Sequence, residues 1–274
     1  MEPVGVVGSL ARDLVAGAPP RPGGAPVFAA RALRALGRPG RIACRCAAHD
    51  REALLPGLLA TGLPVACGDS AVTASFSFSY NGDDRVMAVE AVGDAWTPAD
   101  ADGWVAEALG AAEWVQVAPL VRSDFPAATL VRLARGRRLL LDGQGLVRVP
   151  ALGPLRLDGA YDPAALRAAT ALKLSEEEAR VLTGAGRELD PVALRSLGVA
   201  EVIVTRGSLG SLVVTAAGGA EHVAAVQVEG VADPTGAGDA FAVAYVAARA
   251  DGAEPVEAAR RAAAAVALVL GGTA

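Results

Sequence analysis

The chain has 274 residues, a hydrophobic content of 53% and a formal net charge of −5. That length suits one large α/β domain with an ample core, although length alone also permits two, and an acidic balance without a basic stripe argues against nucleic-acid binding. No apolar run approaches the roughly 18 uninterrupted residues of a membrane helix and no basic-then-apolar leader opens the chain, so a cytoplasmic protein with no membrane partner is expected.

The three cysteines, Cys44, Cys46 and Cys67, are too few for a disulfide framework. The C-x-C pair lies in an apolar strand-like run with no second ligand pair nearby, which reads as buried free thiols and not as a metal site. His49 and His222 fit no zinc or triad spacing. Lys173 is the single lysine of an arginine-rich chain, which reads as a bias of coding composition.

In chain order, Glu2 to Gly17 reads as a buried strand, a turn at Gly8-Ser9, and a second extended piece carrying Asp13. A dinucleotide-binding start would need G-x-G-x-x-G between strand and helix; Gly5 and Gly8 do not supply it. Arg21 to Pro26 then introduces an alanine-rich helix stopped by Gly37, and Arg41 to Cys67 reads as strand, helix, strand. From Thr73 to Tyr80, Ser75, Ser77 and Ser79 alternate with Phe76, Phe78 and Tyr80. Asn81 to Asp84 turns that strand and Arg85 to Val89 returns, a hairpin with one aromatic and one hydroxyl face.

Thr97-Pro98 is expected to cap a helix through Leu109, before a strand from Glu113 to Ala118. Ser123 is expected to cap a helix that begins near Phe125-Pro126 and runs to Gly136. Arg138 to Asp142 is the next strand and ends in a glycine-rich turn. Ligands of open α/β sheets bind beyond the carboxyl ends of strands, so Asp142 and Gln144 are secondary site candidates. Ser175 and Glu178 fit a capping box at the next helix. Strands at Glu201–Thr205 and Ser211–Val214, an extended piece from His222 to Val228, and helices from Gly236 and from Pro255 to Leu268 complete the pattern. Strands alternating with helices of this length predict a mostly parallel sheet.

The chemistry concentrates in Asp233 to Asp239, DPTGAGD, which opens directly into an apolar helical run. Amides at a helix start lack intrahelical partners and sit at the positive end of the helix dipole, and glycines let backbone close around a bulky anion. A carboxylate in such a loop, Asp239, belongs there as the base for a hydroxyl attacking the held group. The plain alternative is a capped helix after a glycine turn.

This string matches position by position the signature D-x-T-G-A-G-D-x-F of the ribokinase-like (PfkB) carbohydrate and nucleoside kinases, which the chain resembles throughout. The resemblance implies a three-layer α/β/α fold in one domain, residues 1–274, with a small β lid from about 10–22 and 72–92. It implies transfer of the γ-phosphate of ATP to a hydroxyl of a small sugar, inositol-like polyol or nucleoside, in a monomer or homodimer. Asp239 would be the base, with the amides of Gly236, Ala237 and Gly238 as the anion hole. Asp13, ending a G-x-x-x-x-D stretch, and the Gly23-Gly24 pair would hold the acceptor, although Ala11 stands where the ribokinase version has Asn. Ser175, Thr205, Gly207 and Gly210 match positions that meet the nucleotide. Glu178 would order the water around Mg²⁺, and Asp233 would lie near a monovalent cation such as K⁺, part of whose site is expected to be missing or formed differently. A hydroxymethylpyrimidine or pyridoxal kinase of the same superfamily, and a non-catalytic sugar or nucleotide sensor, are the alternatives.

Overall fold

The structure is a computed structural model that describes residues 1–15, 19–81, 84–186, 188–228 and 234–271. Asp233 and the tip of the predicted hairpin, Gly82 and Asp83, lie outside the described residues. In chain order the strands are β1 (Val4–Ser9), β2 (Ala11–Val15), β3 (Arg21–Gly23), β4 (Gly40–Ala47), β5 (Val65–Ser70), β6 (Ala74–Asn81) and β7 (Asp84–Ala91). They continue with β8 (Trp114–Ala118), β9 (Arg138–Asp142), β10 (Gly153–Pro154), β11 (Ala171–Ser175), β12 (Glu201–Thr205), β13 (Ser211–Thr215) and β14 (Ala220–Val223). The α-helices are α1 (Ala25–Ala35), α2 (Arg51–Leu54), α3 (Pro56–Leu59), α4 (Pro98–Asp102), α5 (Trp104–Leu109) and α6 (Ala127–Leu133). After them come α7 (Gln144–Val147), α8 (Pro163–Ala168), α9 (Glu176–Thr183), α10 (Pro191–Ser196), α11 (Ala237–Ala250) and α12 (Pro255–Leu270).

The large sheet has the order β14-β13-β12-β11-β9-β8-β1-β4-β5, parallel throughout except where β13 and β14 turn back. Its strands are apolar on both faces, as a parallel sheet covered by helices on both sides requires. Val6, Ile42, Leu140 and Ala171 face a core shared with α1, α11 and α12. Val7, Val115, Leu139, Leu141 and Leu172 face the other layer, with α4, α5, α6 and α8 to α10. The result is the expected three-layer arrangement.

A second sheet, β10-β7-β6-β2-β3, stands apart from the first. It contains the hairpin and the extended pieces before Gly24, and also β10, which two residues alone did not advertise. Asp13 pairs with Phe76 in register, and Phe76 with Val89, so these side chains share one face. That face packs with Phe78 against Leu120 and Val121.

Two local expectations are corrected. The helix from Pro98 breaks at Gly103, whose backbone (φ −101°, ψ −117°) separates α4 from α5. Ser123 caps nothing: α6 starts from Pro126, the Ser123 hydroxyl makes no hydrogen bond among the described residues, and the turn is held by Asp124, which accepts from Leu120 N at 2.7 Å.

Trp96 pins this region to the sheet. It is 1% exposed, stacks on Phe125 at 5.1 Å between ring centroids, and lies under the Arg45 guanidinium at 4.6 Å. Its Nε1 donates to Ser9 Oγ at 3.1 Å, at the C-terminal end of β1. Trp96→Ala should cost about 3–5 kcal/mol, read as a lower urea midpoint at unchanged slope.

Candidate active site

The site forms where β9, β11 and β12 end against the start of α11. Side chains two apart on a strand share a face, so Asp142 follows Leu140 and Lys173 follows Ala171 toward α11. Lys173 Nζ donates to Asp142 Oδ2 at 2.9 Å, and both side chains are buried. A Cβ built on Gly238 would stand 3.0 Å from Lys173 Nζ, so the ammonium rests against the first turn of α11. Burial alone would lower the Lys173 ammonium, but the carboxylates of Asp142, Glu178 and Asp239 outweigh it and hold the group above its ordinary value.

Asp239 lies in that first turn, half-buried. Desolvation and the neighbouring Asp142 carboxylate push its carboxyl from 3.8 to about 7, while Lys173 and Arg148 pull the other way and Asp13 adds to the rise. Asp13, on the small sheet, is thus within electrostatic reach of Asp239. Its carboxylate overlies Gly23: a Cβ there would come within 2.5 Å of it.

Gly236 is the N-cap of α11, with φ 83°, and its position is closed by packing, since a Cβ would meet the Phe28 ring at 2.2 Å. Of the three amides expected to hold an anion, Ala237 N–H already donates to Pro234 O at 3.1 Å. The Gly236 and Gly238 amides bond to no described residue.

Ser175 and Glu178 form the capping box of α9: Ser175 N–H donates to Glu178 Oε2 at 2.8 Å and Glu178 N–H to Ser175 Oγ at 3.2 Å. The Ser175 hydroxyl is therefore engaged locally. Glu178 also faces the centre, where burial and Asp142 raise its carboxyl against the pull of Lys173 and Arg148. Arg148, half-buried just beyond α7, acts electrostatically on Glu178, Asp239 and Asp124 yet makes no side-chain hydrogen bond or ion pair with a described residue. Arg206 is turned to Glu176 at 3.5 Å.

Beside the first turn of α11 opens a cleft of about 430 Å³. Thr205, Gly207 and Gly210 line its rim with Gly238, and Val226, Val228, Phe241, Val266 and Leu270 make it largely apolar. Lys173, Arg148 and this cleft carried no signal as site features in the sequence; Asp142 did, through its place at a strand end.

The family model described as pfkB family carbohydrate kinase matches residues 74–273. The chain belongs to the pfkB family of carbohydrate kinases. It is an enzyme that transfers a phosphoryl group to an alcohol. No curated protein matches it significantly in sequence. Among solved structures, a pyrophosphate-dependent kinase of the ribokinase family, complexed with a pyrophosphate analogue and myo-inositol, is 24% identical with a TM-score of 0.82, over 97% of this chain and 94% of that one. A Burkholderia thailandensis nucleoside kinase in complex with inosine is 22% identical, with TM-score 0.74, 98% of this chain and 91% of that one. An Arabidopsis thaliana ribokinase complexed with ribose and ATP is 20% identical, with TM-score 0.71, 97% of this chain and 92% of that one. At these identities the likeness is one of fold. Among the described residues no helix is long and apolar enough to cross a membrane.

The raised Asp239 carboxyl carries a linkage consequence. Because its folded value, about 7, lies above the ordinary 3.8, the folded state binds more protons between those values and loses stability as pH rises through them. Asp239→Asn removes that loss. The variant's melting temperature relative to the parent should therefore climb steadily between pH 4 and 8, and a flat difference would show that Asp239 titrates normally.

Proposed function

We propose that the chain transfers the γ-phosphate of ATP to a hydroxyl of a small neutral sugar, polyol or nucleoside, with Asp239 as the base. The carrying observation is one juxtaposition: Asp239 in the first turn of α11, Lys173 against the same turn, and an apolar cleft opening beside it. A cleft of about 430 Å³ with an apolar wall suits a nucleobase and ribose. Thr205, Gly207 and Gly210 on its rim would meet the nucleotide, bringing the terminal phosphate to the helix N-terminus.

There the Gly236 and Gly238 amides, Lys173 and Arg148 would stabilise charge on the transferred group. Asp13, above Gly23, would accept hydrogen bonds from acceptor hydroxyls, and Gly24 would let the acceptor approach the backbone. The small sheet would act as a lid excluding water. Asp239, with a carboxyl near neutrality, is suited to take the hydroxyl proton.

Magnesium fits the residues present. With Asp142 paired to Lys173, the carboxylates of Asp13, Glu178 and Asp239 outnumber the Arg148 cation, so a polyphosphate needs a divalent partner to enter. Among the described residues no three acids converge to hold a metal directly, which suits an ion that keeps its waters and is bound by Glu178 through them. When bound, it would neutralise the donor phosphates. A monovalent cation near Asp233 belongs to the same proposal.

Two similar solved structures are pyrophosphate-dependent kinases, so pyrophosphate is the donor to test against ATP. Ala267 lines the cleft, and Ala267→Trp should raise the KM for ATP at least about tenfold, the equivalent of 1.4 kcal/mol, while leaving any pyrophosphate-driven rate alone. An ATP KM that does not move would place the adenosine elsewhere.

Assayed with Mg²⁺ and K⁺ against inositols, ribose, fructose and nucleosides, Asp239→Asn should lower kcat by about 10²–10⁴-fold with donor affinity nearly unchanged. Turnover within a few-fold of the parent would sink its assignment as base.

A further inference from the structure

Away from this site, three thiols converge at the edge of the large sheet. Cys44 and Cys46 lie two apart on β4, and Cys67 stands opposite Cys44 on the edge strand β5, so all three share the face toward α1. Cys46 Sγ and Cys67 Sγ are 3.8 Å apart, already in van der Waals contact. Cys44 and Cys46 are buried, while Cys67 is half-exposed.

Arg51 brackets the same spot. Its Nη2 donates to Cys67 O at 3.1 Å and to Asp69 Oδ1 at 2.7 Å, which lays a guanidinium beside the thiol. The neighbouring Cys44 and Cys46 thiols, with Arg51, pull the Cys67 thiol well below its ordinary value against the effect of burial, and its own sulfur lies 3.6 Å from Gly68 O, to which it can donate. Contact with Cys67 and burial push Cys44 and Cys46 the other way, against Arg51. A low thiol at partial exposure beside two protonated neighbours is the arrangement of an attacking and a resolving pair. None of the three takes part in the proposed phosphoryl transfer. Among the described residues they build no metal cluster.

We propose that Cys67 and Cys46 form an oxidation site for peroxides, closing to a disulfide that staples β5 to β4. The Cys67 thiolate attacks one peroxide oxygen, the O–O bond breaks, and hydroxide leaves with Cys67 as sulfenic acid. The Cys46 sulfur then attacks Cys67 Sγ, forming the S–S bond; its proton and the sulfenic hydroxyl leave as water. Two electrons pass from the thiols to the peroxide, and a thiol reductant reverses the step. Side-chain rotation must bring the sulfurs from contact to about 2 Å.

The staple falls at the root of the small sheet. Beyond β5 the chain runs to Thr73, whose Oγ1 accepts from Ala47 N at 2.9 Å, and then into β6. The bond would thus fix the edge strand from which the hairpin departs.

The test uses the full-length reduced protein and hydrogen peroxide. Titratable thiols should fall from three to one, with loss of two hydrogens in mass and a Cys46–Cys67 link in the unreduced peptide map. Dithiothreitol should restore all three, and the oxidised form should melt several degrees higher. Cys44→Ser should still lose two thiols, and Cys67→Ser none. Three thiols persisting, oxygen accumulating on Cys67 as sulfinic acid, or a bond joining two chains would each overturn the proposal. The map on the parent protein needs no variant, so a poorly folding substitution does not obscure the result.

Discussion

The buried ion pair between Lys173 and Asp142 is the interaction around which the site is assembled. Removing Lys173 would leave the buried Asp142 carboxylate uncompensated, at a cost of about 3–5 kcal/mol. The pair exists because β9 and β11 are adjacent parallel strands in a register that sets these two residues side by side. It reaches further than its own bond, because the ammonium also answers Glu178 and Asp239. One lysine therefore counterbalances three carboxylates at the mouth of a helix.

The glycines around it follow from the same crowding. A Cβ at Gly236 would strike the Phe28 ring, one at Gly23 would displace the Asp13 carboxylate, and one at Gly238 would crowd the Lys173 ammonium. An anion-binding loop explains small residues by the room a ligand needs. Here a second reason is visible without any ligand, because each Cβ would displace a side chain that shapes the site. The two reasons reinforce one another, and a substitution would be felt in the free protein as well as in the bound one.

Much of this was legible in the sequence because the signals are local. The DPTGAGD loop, the Ser175–Glu178 capping box and the alternation of Phe76 and Phe78 with serines are each set by neighbours a few residues away. Asp142 could be suspected from its place at a strand end. Lys173 could not, since its partner lies 31 residues off and its meaning comes from register. Arg148 and the apolar cleft were hidden for the same reason, the cleft being built from β12, β13 and both last helices. The misplaced cap at Ser123 shows the converse: the helix starts only after Pro126, and a good capping residue is left outside it. Contacts distant in the chain decided what propensity left open.

The distribution of charge narrows what the acceptor can be. In the proposed reaction Asp13 and Asp239 stand on the acceptor side, whereas the Lys173 ammonium rests against the first turn of α11. A carboxylate or phosphate on the acceptor would face two like charges in a poorly solvated space, a repulsion that grows as water is excluded. A neutral polyhydroxyl ring meets no such penalty, since its hydroxyls can donate to the carboxylates. In the proposed reaction the negative charge then belongs to the donor alone, and the acids and cations are divided between the two substrates accordingly. Burial and Asp142 do most to raise the Asp239 carboxyl and Asp13 adds to it, so the acidity that would repel a charged acceptor also helps keep the proposed base near neutrality.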